Sequence, residues 1–265
     1  MEEISYYDWI KANDIVEWCK PLIAQAGWAW READGKLYAQ LKPGIYDTPW
    51  HHVKSDYRLK CGLWHQIMFD MIGSKLPSGE RFVPSKCQNC YKVVVRPKTL
   101  VQLFGLINLQ KTLDRPSKAG IERRESVHGL YGGYFYNWGL AEGKECYNIV
   151  RKAVDEHENL GPETNVLLKR GCTEYEHACG DSDKWKITPE QLHIEALLDR
   201  WLITDDIEMR QPEKLIHNVH RKWIEFAYSY GDETYVKFTG GKPLYPPYKT
   251  YQHFTDEEIA AASKV

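Results

Sequence analysis

Apolar residues recur along the chain in two rhythms, one of about 3.6 residues and one of about 2, and each predicts a different element. Helical spacing runs through residues 5–26, where Ile10, Ile15, Trp18, Leu22 and Ile23 share a side, and again through Leu59–Ile72. It returns after Thr99, a suitable cap for a helix carrying Leu100, Leu103, Phe104, Ile107 and Leu113. Residues 141–158 repeat it with Cys146, Ile149, Val150, Ala153 and Val154. Thr188-Pro-Glu-Gln191 has the form of a capping box with proline in the first turn, and predicts a helix bearing Leu192, Ala196, Leu197, Leu198 and Trp201. A last helix is predicted from Pro212 to Gly231, with Leu215, Ile216, Val219, Trp223 and Phe226 inward.

Tyr91-Lys-Val-Val-Val-Arg96 is a β-branched run and Asn165-Val-Leu-Leu-Lys-Arg170 an apolar one, and both predict strands. Arg31–Leu41 predicts a hairpin around Asp34-Gly35. Loops are expected at Pro43-Gly44 and Thr48-Pro49, before Trp50-His51-His52, and at Asp114-Arg-Pro-Ser and Ala119-Gly120. The order strand, helix, helix, strand predicts an α+β fold, a helix-rich mixed α/β arrangement in which helices pack on a small sheet. One globular domain is expected over 1–239, with room for a helical N-terminal subdomain over 1–76. The proline-punctuated stretch 240–265 is expected as an extended tail.

Cysteine placement adds a constraint to that fold. Cys87-Gln-Asn-Cys90 stands at the start of the first strand, and Cys172 and Cys179 follow the end of the second. If the two strands are antiparallel neighbours, Cys90 lies beside Cys172, and a helix over 173–179 returns Cys179 to the same side. Four thiolates gathered there would hold Zn²⁺ or an iron–sulfur cluster and pin the sheet. Cysteine is also a common core residue, and that reading is given to Cys146 and to Cys19 in Ile15-Val-Glu-Trp-Cys19. His51, His52, Cys61 and His65 form a weaker metal-ligand set, and His217 and His220 read as helix-face histidines.

The chain has 265 residues, 43% of them hydrophobic and 27% charged, which is ordinary for a protein with a sizeable core. Its start is acidic and aromatic, and no stretch has the apolar length of a membrane span. An odd count of seven cysteines fits a reducing compartment better than a disulfide framework. The expectation is therefore a cytoplasmic protein without membrane contact. A net charge of −2 conceals an asymmetry. Residues 81–124 hold ten Lys or Arg against only Asp114 and Glu122, a local charge of +8 that leaves −10 elsewhere. A phosphate-bearing ligand, nucleotide or nucleic acid is the natural partner for such a segment.

Candidate chemistry follows the same basic stretch. Arg123, Arg124, His128, Tyr131, Gly132, Gly133, Tyr134, Tyr136 and Trp138 bring guanidinium groups, glycines and aromatics together, a mixture suited to gripping phosphate and stacking on a base. The plainer reading is a hairpin turned at Gly132-Gly133 over a core of aromatics. Arg96, Lys98, Arg123, Arg124, Tyr131, Tyr134, Lys169 and Arg170 are the expected ligand-binding residues, and Glu174 and His128 the expected proton-transfer groups. No P-loop, dinucleotide fingerprint, GxSxG elbow or HExxH motif occurs. The reading that results is a metal-containing enzyme (iron–sulfur or zinc) that modifies a nucleotide or nucleic acid, in the manner of a transferase. The alternatives are a non-enzymatic nucleic-acid-binding module with structural zinc, and an iron–sulfur redox protein.

Overall fold

Val93, Val94 and Val95 are all inaccessible to solvent, so the β-branched run is covered on both faces of the sheet it belongs to. The computed structural model describes residues 28–33, 36–41, 49–54, 65, 69, 81–199, 211–245 and 254–262. The expected helix at 5–26, and that at 59–72 apart from His65 and Phe69, lie outside the described residues. Strands β1 (Trp28–Ala33) and β2 (Lys36–Leu41) pair antiparallel, Ala33 against Lys36, which bears out the hairpin and extends it to Trp28.

The main sheet has five strands, β3 (Trp50–Val53), β4 (Cys90–Arg96), β5 (Ser117–Ile121), β6 (Tyr131–Trp138) and β7 (Asn165–Arg170), in the order β3-β5-β6-β4-β7. Every neighbouring pair is antiparallel. The α+β expectation holds, and strand β7 spans the residues read from the sequence. The loop expected at Ala119-Gly120 is a strand instead, and a further strand follows the loop expected at Thr48-Pro49. Trp50–Val53 and Ser117–Ile121 pair with each other, Trp50 opposite Gly120. A Cβ on Gly120 would run into the carbonyl oxygen of Pro49, so glycine here permits a close backbone approach and marks no turn.

A single helical turn, α1 (Ser85–Gln88), leads into β4. Helices α2 (Leu100–Leu113), α3 (Gly139–Asp155) and α6 (Glu213–Ser229) cover one face of the sheet; between the last two come α4 (Thr173–Cys179) and α5 (Pro189–Asp199). Thr99 caps α2 as expected, its Oγ1 accepting from Gln102 N at 3.3 Å. Leu100, Leu103, Leu106 and Ile107 of α2 meet Val93, Val95, Ile121, Tyr131 and Phe135 of the sheet, with Cys146, Val150 and Val154 of α3 and Val219 and Trp223 of α6. Cys146 is thus a core residue. Gly133 lies in mid-strand, where a Cβ would strike Leu106. The turn between β5 and β6 is made by residues 122–130, not by Gly132-Gly133.

Thr188 Oγ1 accepts from Gln191 N at 3.1 Å, but the box is not reciprocal, because the Gln191 side chain donates to Val83 O instead. Beyond a 3-10 turn at Glu233–Phe238, the stretch expected to be an extended tail contains the helix α7 (Asp256–Ala262). Among the described residues no helix is long and apolar enough to cross a membrane.

Candidate functional site

Strand alternation decides which side chains stand on the face opposite α2, α3 and α6. Along β4 these are Lys92, Val94 and Arg96, because Val93 and Val95 belong to the helix-covered core. The register carries the pattern across the sheet. Lys92 stands opposite Tyr136 on one side and Lys169 on the other, Val94 lies between Tyr134 and Leu167, and Lys118 lies between His52 and Tyr134. Trp50 completes the face, edge-on to Tyr134 at 5.6 Å between ring centroids.

Cations on this face rest on aromatic rings. The Lys118 ammonium is 4.2 Å from the Trp50 ring centre, Lys92 is 5.6 Å from that of Tyr136, and Arg96 and Arg124 are each 5.8 Å from that of Tyr134. Such contacts hold charge at a partly dehydrated surface.

The β5–β6 turn and α4 add a charged wall. The Glu122 side chain is 1% exposed. Arg124 grips it through Nε at 2.8 Å and Nη2 at 2.6 Å, and Tyr134 donates its hydroxyl at 2.7 Å. The remaining guanidinium nitrogen, Nη1, reaches Glu174 of α4 at 2.7 Å. Burial opposes ionisation of Glu122, yet the hydrogen bonds from Arg124 and Tyr134 outweigh it and hold the carboxyl below its usual range. Glu174 is held down to about 2: burial is overcome by Arg124, by its own backbone amide and by Lys92. A carboxyl that low stays ionised at neutral pH, so Glu174 offers a charge and an acceptor rather than a proton. Its second oxygen is buried and makes no hydrogen bond among the described residues. Lys169 donates to Thr173 Oγ1 at 2.8 Å and to Glu176 at 3.1 Å, tying α4 to β7.

The backbone juxtaposition expected of the cysteines is present. β4 and β7 are antiparallel neighbours, Gly171 N donates to Cys90 O at 2.8 Å, and 173–179 is helical. Three of the sulfurs nevertheless take separate partners among the described residues. Cys87 Sγ accepts from Tyr175 Oη at 3.2 Å, Cys172 Sγ from Lys92 Nζ at 2.9 Å, and Cys179 Sγ lies 3.5 Å from Arg81 O. Among the described residues no three His, Cys, Asp or Glu side chains are gathered as a metal would require, so the four-cysteine pin of Cys87, Cys90, Cys172 and Cys179 finds no support, for zinc or for an iron–sulfur cluster. Register fixes where backbones run, whereas each thiol follows the local packing of its own turn.

The structure brings Arg96, Arg124, Tyr134, Lys169 and Glu174 to one face. It places others elsewhere. Tyr131 is fully buried on the helix side and donates to Asp232 at 2.8 Å. Arg170 holds the carbonyls of Gln88 and Ser182, both at 2.6 Å. Lys98, Arg123 and His128 are exposed, the last two in the β5–β6 turn. Of the weaker histidine set, His51 faces α6 and hydrogen-bonds His220 at 2.9 Å, His65 packs beside Phe69 and Tyr175, and Cys61 is outside the described residues. Lys92, Lys118, Trp50 and Glu122 were not singled out as site residues. The available signal was the i, i+2, i+4 spacing of Lys92, Val94 and Arg96 in the run Lys92-Val-Val-Val-Arg96.

No protein-family model, curated protein or solved structure matches this chain.

Proposed function

We propose that the cationic face of the sheet binds a phosphate-bearing ligand, a nucleotide in preference to an extended nucleic-acid strand, and that the protein is an enzyme acting on it. One observation carries the reading. Lys92, Arg96, Lys118, Lys169 and Arg124 converge on a single face and its rim, where, among the described residues, Glu122, Glu174 and Glu176 bring opposing charge. Ammonium groups side by side on adjacent strands repel one another, and an anion relieves that cost.

The preference for a compact ligand comes from the aromatics. Trp50 and Tyr134 are 7% and 5% exposed, so neither offers the open ring on which successive bases of a strand would stack. Tyr136 is half-buried beside Lys92 and is the ring best placed to meet one base. Buried and half-buried carboxylates whose pKa values are lowered beside a guanidinium, as Glu122 and Glu174 are, belong to the surroundings in which enzymes do chemistry, which favours an enzyme over a passive binding module.

Titration of a fluorescent ADP analogue by anisotropy at increasing salt tests the reading. Affinity is expected to fall with salt through charge screening, and Lys118→Met is expected to weaken binding and to make what remains less sensitive to salt. Absence of binding, or binding indifferent to salt and to Lys118, overturns it. Tighter binding of a single-stranded oligonucleotide than of the mononucleotide would overturn the preference for a compact ligand.

A further inference from the structure

Cys172 follows β7 by two residues and opens α4, which sets its sulfur beside the cationic face. Its partner there is unusual. Lys92 is 8% exposed, lies in the middle of the sheet, and donates to Cys172 Sγ at 2.9 Å, as short as a hydrogen bond to oxygen. Lys169, the cross-strand neighbour of Lys92, brings a second ammonium to the same row. Two residues beyond the thiol is Glu174, anchored through one oxygen by Arg124, with the other oxygen buried and making no hydrogen bond among the described residues. A thiol faced by a buried ammonium, two residues before a carboxylate with one buried oxygen unused, is more than a packing cysteine requires. Cys146 shows the contrast, fully buried in the apolar core to which Val150 and Val154 of the same helix also belong.

We infer that Cys172 is a nucleophile, assisted by Lys92, that takes an electrophilic carbon of a phosphate-bearing ligand onto its sulfur. In that step the sulfur lone pair forms a C–S bond, the bond from that carbon to its leaving group breaks with its electron pair, and the thiol proton is released to solvent. The Lys92 ammonium offsets the negative charge that sulfur carries as it attacks. Glu174 is a positioning residue, its unused oxygen accepting a hydrogen bond from the ligand. The identity of the ligand rests on the proposed function above, whereas the reactivity of the thiol does not.

The test uses iodoacetamide on the folded full-length chain, with alkylation followed cysteine by cysteine by peptide mass spectrometry. Here the C–S bond forms as iodide leaves. Cys179, which is also half-buried and only six residues beyond Thr173, is the internal reference. Cys172 is expected to react about tenfold faster than Cys179 or more, to slow by about tenfold in Lys92→Met, and to recover in part in Lys92→Arg. Equal rates for the two cysteines in the unmodified protein overturn the inference whether or not the Lys92 variants fold, and so does a Cys172 rate unchanged in folded Lys92→Met. Repeating the alkylation with ADP present separates the two claims. A fast Cys172 left unprotected by saturating ADP keeps the nucleophile and removes the nucleotide, while a slow Cys172 in a chain that binds ADP does the reverse.

Discussion

Arg124→Met removes the group on which the ionised state of Glu122 depends, and the consequence can be worked from the geometry. Glu122 accepts two side-chain hydrogen bonds from Arg124, one from the Arg124 amide at 3.1 Å, and one from Tyr134. The substitution takes away the two charge-assisted bonds and the counter-charge while Glu122 stays 1% exposed. Breaking a buried ion pair by deleting one partner costs about 3–5 kcal/mol. Arg124 is itself 35% exposed, so solvent replaces part of its contribution, and about 2–3 kcal/mol is the expected loss at pH 7. The pH dependence gives a sharper signature. With Arg124 present, the folded pKa of Glu122 lies below the unfolded value of 4.5, so its stabilisation is complete above that value and fades as pH falls through and below it. Without Arg124 the burial effect dominates and places the folded pKa above 4.5. The folded state then binds more protons than the unfolded state just above that value, so the deficit of the variant against the unsubstituted protein narrows as pH falls from 7 towards 5. Urea denaturation followed by tryptophan fluorescence at both pH values reads this directly. Arg124→Met/Glu122→Gln, which removes both charges, is expected to recover most of the loss. A single variant that loses less than about 1 kcal/mol, or a double variant no better than the single, would refute the view that Glu122 is a buried charge held by Arg124.

Two further outcomes follow from the other face. Burial first, then His220 and Lys111, lower His51 to about 3, and burial, Lys111 and His217 lower His220 to about 4, so both are neutral in the folded chain at pH 5 while unfolded histidines are not. The unfolded state then binds more protons, and stability falls as pH drops below 6.5. For His51 alone the loss is about 2 kcal/mol by pH 5, and His51→Leu/His220→Leu should flatten the curve of urea midpoint against pH between 6.5 and 5. Gly133→Ala should cost about 1–3 kcal/mol in thermal or urea denaturation because its methyl group meets Leu106, whereas Gly132→Ala, whose nearest neighbours are the ends of Tyr134 and Arg96, should cost clearly less.

Much of the secondary structure was determined by the chain's own periodicity. The valine run of β4, the apolar run of β7 and the leucine spacing of α2 each bury residues that the pattern alone marks, and Thr99 caps its helix through a contact three residues away. Local signals of this kind need no knowledge of the rest of the fold. The strand at Ser117–Ile121 escaped because proline, serine and glycine around it speak for a turn, and only pairing with β3 and β6 makes Gly120 a point of close approach. Segregation of charge into residues 81–124 was likewise written in the sequence, but its arrangement was not. Tyr131 and Tyr134 look equivalent along the chain and stand on opposite faces, since an odd offset in a strand reverses the direction of a side chain. Cys90 and Cys172 met as the strand pairing foretold, yet Lys92 took the sulfur of Cys172 and Tyr175 that of Cys87. Backbone register follows from patterns that repeat over many residues. The partner of one polar atom depends on angstrom-scale packing among segments far apart in sequence, and for Lys92, Glu122, Arg124 and Glu174 that was decided only by the tertiary structure.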